Sequence, residues 1–269
     1  MSIPPGGLLT SSLTKKYGQF VAVDSLNLCV HPGEVYGFLG PNGSGKSTTI
    51  RMLTGILAPT SGSVAICGYD LKKEPEKAKA LIGYVSDEPV LYERLTGMEF
   101  LDFMGDLYGV PRGVRRTRAQ EMLGLLGLED KGADLIQSYS KGMRQKVAIA
   151  GALLHEPKIL VMDEPVSGLD PMSARVLKSL VRKLARSGAA VLISTHLLEI
   201  AERMCDRIGI LVAGRLIADG TMRELRAKTG DVSDGKTLED VFISLAAGEE
   251  YKDVIASLDR EADEAGEPV

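Results

Sequence analysis

The 269 residues carry 32 lysines and arginines against 36 aspartates and glutamates, a formal net charge of −4, and 44% of them are hydrophobic. That is enough apolar material for one large domain or two small ones, each with a packed core. The acidic balance argues against a nucleic-acid binder held by electrostatics.

In chain order, the opening MSIPPGGLL lacks the basic-then-apolar pattern of a leader. No run in the chain approaches the roughly 20 apolar residues that cross a bilayer, so a membrane role would need a separate anchor. From Leu8 to Phe38, short β-rich runs are broken by turn signals such as Lys16-Tyr17-Gly18 and His31-Pro32-Gly33-Glu34. Val35 to Leu39 then enters a glycine-rich loop, and Lys46 to Leu57 has helical spacing with Ile50, Leu53 and Leu57 on one side. Cys29, Cys67 and Cys205 are odd in number and without paired spacing, which argues against a disulfide framework or a metal site and fits a reducing cytosol.

Between Pro89 and Leu154 the apolar period is mostly helical: Phe100, Leu101, Met104 and Leu107, then Met122, Leu123 and Leu126, then Val147, Ile149 and Leu153. We read a helical insertion. Within it, Arg112, Arg115, Arg116 and Arg118 form a short basic cluster, read as a solvated helix face. The continuous apolar run Ile159 to Met162 has the character of a buried parallel strand. A helix from Pro171 to Ser187, a strand at Ala189 to Ser194, a helix from Leu197 and a strand at Ile208 to Val212 follow. Alternation of this kind predicts an α/β fold with a parallel sheet covered on both faces. Beyond Asp219-Gly220, a short helix at Met222 to Lys228, a polar turn at Gly230 to Lys236 and an amphipathic segment at Leu238 to Leu245 are expected, with a frayed acidic tail from Asp259 to Val269.

The chemistry concentrates in three places. Gly40, Pro41, Asn42, Gly43, Ser44, Gly45, Lys46 and Ser47, followed by Thr48, match G-x-x-x-x-G-K-[ST] between a predicted strand and a predicted helix. Such glycines let backbone N–H groups converge on an anion, and the helix N-terminus reinforces them. Lys46 is expected to reach the β- and γ-phosphates, and Ser47 to place its hydroxyl on Mg²⁺. At Asp163-Glu164 a buried strand ends in two acids whose side chains, on strand geometry, point opposite ways. Asp163 is placed to hold Mg²⁺ directly or through water, and Glu164 to polarise the attacking water. His196 ends the next strand, at the edge where open α/β sheets bind ligands, and is expected to bond the γ-phosphate or that water.

Across residues 8–228 the chain resembles the nucleotide-binding subunit of ABC transporters. The resemblance rests on the three elements above together with Tyr17, on Ser138 to Gln145 before a helix, and on Ser167-Gly168-Leu169-Asp170. It implies a P-loop NTPase (RecA-like) parallel-sheet core, an N-terminal antiparallel β subdomain, an inserted α-helical subdomain at about 89–157, and a C-terminal helical extension and acidic tail over 229–269. It further implies that Tyr17 stacks on adenine, that Ser140 and Gly142 bind the γ-phosphate held by the opposite subunit, and that Asp170 lies in a loop crossing the dimer interface. Catalysis would fall to Glu164, His196 and Lys46, with ATP and Mg²⁺ as the cofactors.

Two departures stand out. Asp87, after Ile82-Gly83-Tyr84-Val85-Ser86, occupies the place of the family's usual glutamine, and Lys141 and Met143 replace the signature's usual glycine and glutamine. A carboxylate at 87 loses the amide's donors but can bind nucleotide-associated Mg²⁺ or a water; its loop reads as a hinge and partner contact. With the Leu238 to Phe242 segment, these variants look most like ATPase subunits of bacterial ABC-2-type exporters. The implied partners are a second ATPase subunit, identical or not, and transmembrane permease subunits, at the inner face of the cell membrane. Tyr92, Leu95, Phe100 and Phe103 are read either as a contact for a permease helix or as internal core. The rival function is a soluble ABC-type ATPase acting on DNA or ribosomes, which would normally add a coiled coil or a second cassette.

Overall fold

A computed structural model describes residues 6–228 and 237–246. The tail expected from Asp259 and the polar turn expected at 230–236 lie outside the described residues.

Strands β1 (Leu8–Tyr17), β2 (Phe20–Leu26) and β3 (Cys29–Val30) open the chain, followed by β4 (Val35–Leu39) and helix α1 (Lys46–Leu53). Helix α1 stops four residues before the predicted Leu57. Gly55 takes a left-handed φ of +69°, and the N–H groups of Ile56 and Leu57 both turn back to the Arg51 carbonyl. Leu57 still packs on the core, but as part of a turn. Next come β5 (Ser61–Ile66), β6 (Tyr69–Asp70), α2 (Pro75–Lys79) and β7 (Ile82–Val85).

Three helices then succeed one another: α3 (Gly97–Leu107), α4 (Arg112–Leu125) and α5 (Lys141–Leu153). A capping box between Thr96 and Glu99 starts α3, so its first turn is satisfied at both ends. The basic cluster on α4 is corrected here in part. Arg112 and Arg116 are exposed, but Arg115 is buried between Asp102, at 2.8 Å, and Asp106 on α3, and Arg118 pairs with Glu156 at 3.0 Å. Half of the cluster therefore ties helices together. Phe100 is buried, whereas Tyr92 and Phe103 remain exposed and meet edge to face at 5.2 Å.

The remaining elements are β8 (Ile159–Asp163), α6 (Pro171–Arg186), β9 (Ala190–Thr195), α7 (Leu198–Met204), β10 (Arg207–Val212), β11 (Arg215–Gly220), α8 (Met222–Lys228) and α9 (Leu238–Ala246). Two sheets result. One is antiparallel, ordered β2-β1-β5-β6 with β3 on β1; the other is ordered β11-β10-β4-β9-β8-β7, parallel except for the edge strand β11. Strands β4, β8 and β9 are buried along their whole length, as continuous apolar runs require. Their side chains alternate between two cores. Leu160, Met162, Val191 and Ile193 face the helical layer, while Ile159, Val161, Ala190 and Leu192 face α1 and the antiparallel sheet.

Candidate functional site

Four parallel strands, β4, β7, β8 and β9, end at one edge of the sheet, and the loops leaving them surround a cavity of about 240 Å³. Asn42, Lys46, Ser47, Asp87, Asp163, Glu164, Ser167 and His196 line it. A 240 Å³ space with two cationic or imidazole groups and three carboxylates is a polar site, suited to a charged group rather than an apolar one.

The glycine loop is held by close approaches. A Cβ on Gly40 would lie 2.3 Å from the Leu211 carbonyl and 2.5 Å from Ser44 Oγ, and Gly45, at φ +105°, would meet the Ala22 carbonyl at 2.5 Å. Neither position accepts a side chain. Gly45 is also the residue before α1, so the first N–H groups of that helix open onto the loop. Lys46 Nζ donates to the carbonyls of Gly40 at 2.6 Å and Pro41 at 3.1 Å. Burial lowers its pKa from the ordinary lysine value, opposed by the carboxylates of Glu164 and Asp163. Thr48 is half-buried beside the loop and does not line the cavity.

The two acids are separated by backbone conformation more than by strand alternation. Strand β8 ends at Asp163, and Glu164 adopts a left-handed φ of +47°, unusual for a residue with a side chain. Asp163 is buried and accepts a short hydrogen bond from Ser194 Oγ, its register partner on β9. Glu164 accepts from Thr195 Oγ1 at 3.0 Å and from the His196 backbone N–H at 2.9 Å, and its Oε1 lies 2.8 Å from His196 Nδ1. Ser194 and Thr195 are thus the anchors of both carboxylates. Sequence reasoning singled out only the neighbouring His196; the signal it passed over was two hydroxyls at a strand end registered against Asp163-Glu164.

Asp87 joins the same cavity. Desolvation raises its pKa above the ordinary carboxylate value, and the charges of Asp163 and Glu164 raise it further, with Lys141 pulling the other way. Ser167 also lines the space, a role that its place in the Ser167-Gly168-Leu169-Asp170 loop does not by itself reveal.

Four predicted residues lie away from this cavity. Tyr17 sits at the end of β1, half exposed, with the Lys15 ammonium 5.3 Å from its ring centre. Ser140 caps α5 by accepting from the Met143 N–H at 3.2 Å. Gly142 packs so closely that a Cβ would lie 2.7 Å from the Gly168 carbonyl. Asp170 caps α6, accepting from the Ser173 N–H at 2.9 Å and from its hydroxyl at 2.6 Å, and pairs with Lys146 at 3.2 Å. These bonds, the Ser173 hydroxyl first, hold its carboxyl well below the usual range. The signature start and the Asp170 loop therefore touch each other within one chain.

A family model described as ABC transporter matches residues 23–167. The chain belongs to the ABC transporter family. Its relative, the linearmycin resistance ATP-binding protein of Bacillus subtilis (strain 168), is 40% identical over 237 residues, 88% of this chain and 75% of that protein. A solved ATP-binding subunit of an ABC transporter matches with a TM-score of 0.85 at 35% identity, covering 89% of this chain and 99% of its own. A dimeric ATP-binding cassette in a post-hydrolysis state, bound to ADP and phosphate, matches with a TM-score of 0.72 at 29% identity, covering 80% and 99%. This ABC chain is accordingly an ATP-binding and ATP-hydrolysing subunit of a transporter, built on the P-loop NTPase fold. That cassette is dimeric, and no described helix of this chain is long and apolar enough to cross a membrane.

Proposed function

We propose that this chain is the motor of an exporter: two ATPase subunits close over two Mg·ATP, drive transmembrane permease subunits at the inner face of the cell membrane, and reopen after hydrolysis. The observation that carries this reading is the convergence of Lys46, Ser47, Asp87, Asp163, Glu164 and His196 on one cavity at the carboxyl edge of the sheet. The direction of transport is inferred from the Bacillus relative, whose name records resistance to linearmycin. A resistance function is most directly served by outward transport.

Residues 40–47, with Thr48, cradle the phosphates: the glycine loop and the first turn of α1 offer backbone N–H groups, and Lys46 exchanges its bonds to Gly40 and Pro41 for phosphate oxygens. Ser47 and Asp163 would hold Mg²⁺, and Asp87, which lines the same cavity, sits in a loop read as a hinge. The hard oxygen donors of Ser47 and Asp163 suit that ion, which takes one or two carboxylates and leaves its other positions to phosphate and water. When bound, Mg²⁺ neutralises charge on the β- and γ-phosphates. Glu164 receives the proton of the attacking water. Its hold on His196 Nδ1 leaves only Nε2 of that ring to face the γ-phosphate or the water.

Tyr17 stacks on adenine at the outer side of the site. Ser140 and Gly142 complete the site of the opposite subunit, and Asp170 meets its counterpart across the dimer. In this reading residues 8–228 form the ATPase domain, with an insertion at about 89–157 whose movement against the sheet is the transmitted stroke, and 229–269 form a C-terminal extension. Capture of tagged Glu164→Gln protein with Mg·ATP from detergent-solubilised host membranes tests it. Recovery of a stoichiometric polytopic partner supports the exporter motor, and recovery of ribosomes or DNA complexes alone refutes it.

A further inference from the structure

The outer face of α6 bears a concentration of charge that the nucleotide chemistry does not use. The helix contains Arg175, Lys178, Arg182, Lys183 and Arg186 and no acidic residue. Leu177, Val181 and Ala185 bury the opposite side, which turns the cations outward. With Ser179 the five line a groove of about 560 Å³. Among the described residues only Arg182 of the five has an ion pair, with Asp206 at 2.5 Å.

Like charges three and four residues apart on a helix repel. The helix dipole favours cations in the last turn, where Lys183 and Arg186 stand, but gives no such support to Arg175 and Lys178 farther back. The stripe therefore destabilises its own helix unless an anion covers it, in a chain whose net charge is −4.

A matching anion is present in the same chain. Residues 247–269 hold eight acidic and two basic side chains, and five of the acids, Asp259, Glu261, Asp263, Glu264 and Glu267, fall within nine residues. The path is short. Helix α9, which ends at Ala246, shares a core with α7 through Ala201, Leu238 and Val241, and α7 borders α6 along a groove lined by Arg175, Lys178, Glu199 and Arg203. From Ala246 the twelve residues before Asp259 can span up to about 40 Å, against about 16 Å from Arg175 to Arg186 along the helix. We propose that the acidic segment 259–267 docks on the basic face of α6 of its own chain.

Zero-length carbodiimide coupling of the full chain, read by mass spectrometry, tests the contact, because it joins only carboxylates and amines already in touch. Amide links from Lys178 and Lys183 to acids of 259–267 are expected at low salt. A mixture of isotopically heavy and light chains should give links within one chain. Links only between heavy and light chains, or from these lysines only to acids of the folded domain, would overturn the proposal. As an independent readout, the quadruple variant Asp259→Asn, Glu261→Gln, Asp263→Asn, Glu264→Gln should acetylate at Lys178 and Lys183 at least about threefold faster than wild type at ~50 mM salt, and no faster at ~1 M, where screening reaches about 3 Å. Exposed Lys72 serves as the control residue. Equal rates at low salt would also overturn it.

Discussion

Glu164 Oε1 lies 2.8 Å from His196 Nδ1 and 2.9 Å from the backbone nitrogen of the same residue. One carboxylate oxygen is thus clamped by the residue that follows β9, while the backbone of Glu164 stands in the left-handed region. An acid held this firmly, in a conformation that side chains avoid, is arranged for a proton-transfer role. Replacing it by glutamine keeps the shape and removes the base. Glu164→Gln should lower phosphate release by roughly two to four decades, with ATP affinity within about threefold of wild type. Steady-state turnover and equilibrium nucleotide titration check the two halves separately, and undiminished turnover would refute the role.

Thr195 is the second clamp, through Oγ1 to Glu164 Oε2 at 3.0 Å. Thr195→Val preserves volume at a buried strand end and removes the donor. The loss should be smaller than for Glu164 itself. Turnover should fall about tenfold, near the worth of one hydrogen bond to a charged group, while ATP affinity is unchanged. An unchanged far-UV circular dichroism spectrum distinguishes this from simple unfolding, and rescue of turnover by Thr195→Ser, which restores the hydroxyl, ties the loss to that hydrogen bond.

These residues also show where the sequence is legible. Strand β8 and the glycine loop with α1 can be read directly, because a strand buried on both faces must be continuously apolar and a position where a Cβ would fall 2.3 Å from a carbonyl oxygen, as at 40, must be glycine. The pairing of Ser194 with Asp163 depends on strand register, which no local pattern encodes. Strand β5 escapes periodicity for another reason: its first half, Ser61-Gly62-Ser63, is exposed on the antiparallel sheet, so only Val64 and Ile66 report burial. Arg115 looks like a surface cation until α3 brings Asp102 and Asp106 against it. The left-handed turn at Glu164 is likewise invisible in composition, since it is imposed by the tertiary contacts with β9.

Asp87 faces two other carboxylates, and its pKa is raised above the ordinary value of 3.8 by desolvation first and by Asp163 and Glu164 next. A carboxyl whose folded-state pKa exceeds its unfolded value opposes folding once ionised, so stability falls as pH rises through that interval. Asp87→Asn removes the cost. At neutral pH and without nucleotide the variant should melt about 1–2 °C higher, a small gain because the group is largely exposed. The advantage should vanish in acid, where both proteins are uncharged at this position. If the loop acts as a hinge, basal turnover stays within about threefold; a fall of tenfold or more would make Asp87 a metal or water ligand.

His155, just beyond α5, stacks on Tyr108 with ring centres 3.7 Å apart and planes 13° from parallel. Burial pushes its pKa down from 6.5 to about 4. The Ile82 carbonyl, which Tyr108 Oη reaches at 3.3 Å, pulls weakly upward but does not form a hydrogen bond with either ring nitrogen. Because the folded protein holds this ring neutral while the unfolded chain protonates it near its ordinary value, the unfolded state binds the extra proton in that interval. Stability contributed here is complete above pH 6.5 and is lost as pH falls toward 4. His155→Phe retains the stacked ring and removes the titration. Between pH 7.5 and 5, wild type should lose about 1–2 kcal/mol more stability than the variant in urea unfolding, after discounting for the ring's partial exposure. The stack joins the end of the helical layer to β7, the strand that leads into Asp87. The same acidification should therefore raise hydrogen exchange at Ile82 to Val85 in wild type before global unfolding, and leave it unchanged in His155→Phe. Identical urea curves for the two proteins would show that the ring is not held neutral.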